Sequence, residues 1–166
     1  MIIRFILLCI LISFSRHVHS LRRRCLNTGI LFPDKIYGSP LVVYGESLGK
    51  RIYLETEKEL LFNVTFRVDC IFKGDQIDQR IEITNAGIQA NRTACQWLDP
   101  GRLYIVFLER CGNVFCPMDY QERIVDEITS ELLEKTCQLT YLSPRNSIVN
   151  NCPNVSLTEF CSSKIF

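Results

Sequence analysis

The stretch Glu59–Phe72, ELLFNVTFRVDCIF, decides the fold. Its even positions Leu60, Phe62, Val64, Phe66, Val68, Cys70 and Phe72 are all apolar, while Asn63, Thr65, Arg67 and Asp69 stand among the odd ones. A period of two puts alternate side chains on opposite faces, so this is a long half-buried strand with Asn63 on its wet face and Cys70 turned inward. Lys73-Gly74-Asp75 ends it, and Arg80–Thr84 resumes the alternation with Ile81 and Ile83 on one face. Upstream, Leu41–Leu48 carries Val42, Val43 and Tyr44 and reads as a preceding strand. Downstream, Asp99-Pro100-Gly101 suits a tight turn, Pro presetting one dihedral and Gly accepting a positive one. Leu103–Leu108 follows it, apolar on both faces, and reads as a strand covered on both sides. Strands of this length with turn signals between them make a mainly β chain, a small barrel or sandwich.

After the strands comes a helical pattern. Asp119 is placed to cap a helix, and Glu122 three residues later completes a capping box. The predicted helix runs from Tyr120 to Thr136, with Ile124, Ile128 and Leu132 at spacing four and Val125 and Leu133 beside them as an apolar stripe facing the barrel. Asp126, Glu127, Glu131 and Glu134 then face water. Beyond Cys137 the chain turns polar, with Pro144, Asn150, Asn151 and Pro153, so residues 140–166 are expected as an irregular tail stapled by Cys152 and Cys161. At 166 residues the length suits one domain, residues 21–139, plus that tail.

Residues 1–20 read as a secretory signal peptide: Arg4 supplies the positive start, Phe5–Phe14 an apolar run interrupted only by Ser13, and Val18 and Ser20 a small-residue cleavage site. The run is too short to span a bilayer. The mature chain is expected to begin at Leu21, to be secreted and extracellular, and to insert in no membrane. Cleavage takes Cys9 of the nine cysteines, leaving Cys25, Cys70, Cys95, Cys111, Cys116, Cys137, Cys152 and Cys161. An even set in an oxidising compartment means four disulfides, although eight cysteines allow 105 pairings and spacing does not choose between them. A metal site fits poorly, because no Cys-x-x-Cys pair occurs and the close pair Cys111 and Cys116 has no second pair to complete zinc coordination. Glycosylation sequons begin at Asn63, Asn91 and Asn154.

The segment Phe66–Gly74, FRVDCIFKG, followed by the strand RIEIT, resembles the second-strand region of netrin-like domains. Ala94–Arg110, ACQWLDPGRLYIVFLER, is similar to that family's cysteine, short spacer and Tyr-centred strand, and a helix ending in a cysteine, here Cys137, closes the pattern. The family includes the tissue inhibitors of metalloproteinases, the amino-terminal domain of agrin and, through Cys70 and Cys95, favine-like secreted proteins. The resemblance covers Cys25 to Cys137 and implies a five-stranded OB-type β-barrel with packed terminal helices. It also implies a Cys25–Cys95 disulfide, with Cys137 paired near the sheet to Cys111 or Cys116. Two departures stand out: Gly38-Ser39-Pro40 replaces the family's cysteine before the first long strand, and Cys70 is additional.

The chemistry narrows by subtraction. Both histidines, His17 and His19, lie within residues 1–20, so a chain beginning at Leu21 has none for a Ser-His-Asp or Cys-His system. Even cysteine parity leaves no thiolate nucleophile. The carboxylate pairs Asp75 with Asp78 and Asp126 with Glu127 fall in a turn and on a helix surface, where solvated charge accounts for them, and no phosphate-binding glycine loop occurs. No cofactor or metal is expected. Removing Arg4 and Arg16 from the 19 basic residues leaves 17 against 18 acidic ones, a charge of −1, so nucleic acid is not an expected partner. Arg22-Arg23-Arg24 is a candidate contact for heparan sulphate, a site for a basic-specific protease, or simply a solvated terminus.

The expectation is a secreted, disulfide-bonded glycoprotein that is not an enzyme and binds a protein of the matrix or cell surface. Cys25, Asn91 and Trp97 are its candidate binding residues, Trp97 as an exposed anchor or as packing over a disulfide. The alternative is a metalloproteinase-inhibitor-like protein acting through a cysteine-led N-terminus; a secreted hydrolase built on carboxylates ranks third.

Overall fold

A computed structural model describes residues 25, 29–147 and 151–155. The expected signal segment, Arg22 to Arg24 and Cys161 lie outside these residues. The long strand is β2 (Leu60–Lys73), preceded by α1 (Phe32–Gly38) and β1 (Leu41–Glu55) and followed by β3 (Arg80–Ile88), β4 (Leu103–Cys111), β5 (Val114–Pro117), the short β6 (Arg123–Ile124) and α2 (Glu127–Glu134). β1 pairs antiparallel with both β2 and β4, and β3 meets β5 in parallel, so β1-β2-β3-β5-β4 closes into a five-stranded OB-type barrel. β6 pairs with the start of β4.

Alternation along these strands sorts their apolar residues into two cores. Val43, Phe62, Val64, Phe66, Ile83 and Val106 fill the barrel, whereas Val42, Phe72, Ile105 and Phe107 form a second cluster with Ile36 of α1 and Leu133 of α2. The two-sided apolar pattern of Leu103–Leu108 is the trace of this double covering.

Against β1, β2 carries an extra residue at two points, Phe72 and, with the larger consequence, Asp69. Gly45 faces Val68 and Tyr44 faces Cys70, so Asp69 is an extra residue on β2, a β-bulge. Its nearly buried carboxylate accepts from Arg67 Nε at 2.9 Å and Nη2 at 3.0 Å, and Arg67 Nη1 meets Glu46 at 2.8 Å. Past the bulge the faces exchange: Ile71 points into the barrel, and Cys70 joins the outer cluster instead of pointing inward. There Cys70 is bonded to Cys152. Opposite the bulge only glycine fits at 45, because a Cβ would collide with the carbonyl oxygen of Arg67.

The tail is less irregular than its composition suggests. β3 pairs with β2 only over Leu60–Arg67. Beyond that the tail takes the vacant edge, Ile71 and Leu142 exchanging backbone hydrogen bonds of 2.8 and 3.0 Å and Thr140 N–H donating to Phe72 O at 2.9 Å. An unpaired strand edge is thereby covered.

The predicted helix Tyr120–Thr136 is corrected to its second half. Asp126 is the cap, its carboxylate accepting from the Thr129 N–H at 3.0 Å while the Thr129 hydroxyl accepts from the Asp126 N–H at 3.1 Å. Residues 118–125 instead run along β4, with Met118 N–H bonded to Phe107 O and Val125 N–H to Leu103 O. The buried stripe shifts by one residue, to Thr129 and Leu133, leaving Ile124 47% and Ile128 58% exposed. The Cys137 pairing implied by the resemblance is also corrected, since Cys111 and Cys116 bond to each other across a two-residue turn. Cys137 is itself disulfide-bonded, as are all seven cysteines among the described residues. Cys25–Cys95 is present.

Leu133→Ala should therefore destabilise the protein by about 2–5 kcal/mol, through lost burial and a cavity. Ile128→Ala should stay within about 0.5 kcal/mol of the parent, as at ordinary surface positions. Denaturant unfolding of both variants checks the order; the stripe expected from sequence, which holds both residues, gives the two variants comparable losses.

Candidate functional site

Between β3 and β4 the chain makes a loop, residues 93–99, whose backbone polar groups are satisfied from outside the loop. Asp119 Oδ1 accepts from the N–H of Thr93 at 3.1 Å and of Ala94 at 2.9 Å. Gln96 N–H donates to Gly87 O at 3.0 Å, and its side-chain amide reaches Tyr120 O at 3.1 Å. Glu122 Oε1 accepts from Trp97 N–H at 2.7 Å and Leu98 N–H at 3.2 Å. Lys50 Nζ donates to Trp97 O at 2.5 Å, Ser47 Oγ to Leu98 O at 2.8 Å, and Asp99 N–H to the Tyr104 hydroxyl at 2.9 Å. Asp119 and Glu122, expected as helix-capping residues, are the loop's anchors, and their engagement keeps residues 118–125 out of a helix.

This web holds Leu98 at φ +41°, in the left-handed region, with its side chain fully buried in the barrel core. Such a backbone costs about 1–3 kcal/mol for a non-glycine residue and persists only where its surroundings dictate it. The Cys25–Cys95 bond, with Cα atoms 5.4 Å apart, ties the start of the described chain to the same loop.

A cavity of about 700 Å³ opens beside the loop, and Cys25, Phe32, Lys35, Trp97, Phe107 and Glu122 are among its walls. Glu122 is 9% exposed and its second carboxylate oxygen, Oε2, is buried with no hydrogen-bond partner. Burial raises its pKa above the usual glutamate value, against the opposing pull of the Trp97 and Leu98 amides and the Lys50 charge. Burial likewise lowers the Lys35 pKa, opposed by Glu122 and reinforced by Arg123.

Of the candidate binding residues, the structure brings Cys25 and Trp97 together at this cavity, with Trp97 half-buried, while Asn91 is exposed in the preceding turn and does not line it. Asn63 lies in a second groove of about 610 Å³ with Arg51 and Arg80, its amide donating to Glu82 at 3.2 Å. Asn154 is exposed. Asp75 and Asp78 are exposed in the β2–β3 turn, away from the cavity, whereas Asp126 lines it, engaged by Thr129 and Arg123, and Glu127 opens α2 outside the lining. Among the described residues no group of three or more His, Cys, Asp and Glu is placed to hold a metal, and no helix is long and apolar enough to cross a membrane. Glu122 carries no periodic or motif signal marking it as buried; only its contacts reveal it.

Compared with protein-family models and with curated protein sequences, the chain matches neither a family model nor a curated relative.

A carboxyl whose folded pKa lies above its unfolded one stabilises the fold fully below the unfolded pKa, and that contribution is lost as pH rises through the folded pKa. The stability of the parent relative to Glu122→Gln should therefore fall as pH rises above about 4.5, with a slope of at most about 1.4 kcal/mol per pH unit. Unfolding both proteins across pH 4 to 8, on the order of one titration per unit, measures it; a difference independent of pH would mean that burial does not govern this carboxyl.

Proposed function

We propose that the chain is a secreted glycoprotein acting as a non-enzymatic extracellular protein-binding module of the netrin-like kind, engaged by a matrix or cell-surface partner. The observation that carries this reading is the loop 93–99, held in one conformation by Asp119, Glu122, Lys50 and Ser47 while it presents Trp97 and the Cys25–Cys95 bond beside an open cavity. A preformed surface loses little freedom on binding, and a half-buried tryptophan is a common energetic anchor. The OB-type barrel and the Cys25–Cys95 bond both support the netrin-like resemblance. Disulfide bonding of all seven described cysteines is compatible with an oxidising, secretory route.

The Cys25–Cys95 bond also favours a second reading, a metalloproteinase-inhibitor-like protein. In those inhibitors the free amine and carbonyl of a leading cysteine chelate the catalytic zinc and the chain continues Cys-x-Cys, whereas here Asn27 stands at the second position. In a chain beginning at Leu21, the Cys25 nitrogen belongs to a peptide bond and is a poor ligand. Protein beginning at Leu21 should leave metalloproteinases uninhibited; stoichiometric inhibition by it would reverse the order of the two readings, and inhibition only after removal of Leu21 to Arg24 would make the second a latent activity.

Expression in a eukaryotic secretory host should yield protein cleaved after Ser20, glycosylated on Asn63 and without free thiols, as read by mass spectrometry. Its binding to cell surface or matrix should fall about tenfold or more in Trp97→Ala and be unchanged in Ile128→Ala. Retention of residues 1–20, or binding indifferent to Trp97, would overturn the proposal.

A further inference from the structure

We propose that the cavity beside Trp97 receives a basic side chain, a lysine or arginine on a loop tip or terminus of the protein partner, whose cation pairs with the Glu122 carboxylate. This rests on the reading of loop 93–99 as a recognition surface and names the chemistry that surface selects.

The first observation is the orphaned oxygen. Glu122 Oε1 is committed to the Trp97 and Leu98 amides, while Oε2 is buried without a partner. Holding a buried charge without a counter-ion is costly, and a cation arriving in the cavity offsets it. The cations nearby are engaged elsewhere. Lys50 Nζ bonds Trp97 O and Asp99, Arg123 Nη2 bonds Asp126 at 2.9 and 3.1 Å, and Lys35 Nζ reaches Gln121 O at 3.4 Å. Among the described residues no cation forms an ion pair with Glu122.

The second observation is the wall. Phe32 and Trp97 line the cavity with part-exposed rings, Tyr104 and Phe107 being buried, and aromatic faces both attract cations and cover a methylene stem. One of them already does so: Lys35 Nζ sits over the Phe107 ring, 5.8 Å from its centroid. An anionic guest would face Glu122 itself, with Arg123 already neutralised by Asp126. The third observation is size. About 700 Å³ leaves room for a lysine or arginine side chain together with flanking backbone.

The test uses intact, disulfide-bonded protein and three capped tripeptides, Gly-Lys-Gly, Gly-Arg-Gly and Gly-norleucine-Gly, followed by NMR. The lysine or arginine peptide should shift the Trp97 and Leu98 amides saturably and bind about tenfold more tightly than the norleucine peptide. That preference should vanish in Glu122→Gln and grow in Lys35→Met, which removes a like charge. Should Glu122→Gln fail to fold, the parent suffices: the Glu122 carboxyl carbon should titrate at lower pH with the lysine peptide present and be unmoved by norleucine. No binding, equal binding of norleucine, or shifts confined to other surfaces would overturn the inference. Loss of cell-surface and matrix binding by the whole protein, with lysine-peptide binding intact, would instead sink the functional reading; Trp97-dependent partner binding indifferent to Glu122→Gln and to the lysine peptide would sink only this inference.

Discussion

The buried carboxylate of Glu122 is the constraint on which the rest of the site depends. By accepting both the Trp97 and Leu98 amides it fixes two successive peptide planes, and so the left-handed backbone of Leu98 whose side chain plugs the barrel. The same contact determines what residues 118–125 cannot be. A helix from Tyr120 would carry Glu122 away from the loop and leave two amides without acceptors, at roughly 1–3 kcal/mol for each unsatisfied group. A non-helical course beside β4 follows, paired with it at Arg123 and Ile124, and the helix begins only after Asp126, where a second capping sequence waits.

Barrel closure imposes a second constraint, borne by β1, which pairs with β2 along one edge and β4 along the other. One strand serves both neighbours because it is irregular: its register against β2 shifts at several points, Gly45 admits the Arg67 carbonyl, and Asp69 is squeezed out of the ladder. The bulge has a chemical consequence. Turning Cys70 to the outer face lets it reach Cys152, and closure across a separation of 82 residues is worth roughly 2–4 kcal/mol by restricting the unfolded chain. Outer core, tail and disulfide thus all depend on one extra residue.

The parts legible in sequence were those carried by local periodicity or turn chemistry. β2 showed itself through seven alternating apolar residues, Asp99-Pro100-Gly101 through Pro and Gly, with Gly101 at φ +76°, and the double covering of β4 through an unbroken apolar run. What failed to show was carried by contacts remote in the chain. The stripe Ile124, Ile128 and Leu132 obeys helical spacing as well as the true face does, and only the barrel's position decides between them. The β4–β5 hairpin did leave a signal, Gly112-Asn113 between two apolar runs, a usual two-residue turn, and it explains why Cys111 pairs with Cys116 and not with Cys137. At the site, Cys25 and Trp97 were readable as residues of interest, whereas Glu122, Asp119 and Lys50 act through partners 24 to 47 positions away.

Rigidity of the loop is what the proposed recognition role asks of the fold, since a preformed loop spends little binding energy on ordering. Native-state hydrogen exchange at the Trp97 and Leu98 amides tests this most directly. Held by a buried carboxylate, both should exchange only through opening nearly as costly as global unfolding, with protection close to that of the β2 amides. Exchange at the rate of a solvent-exposed loop, with the barrel strands still protected, would contradict it.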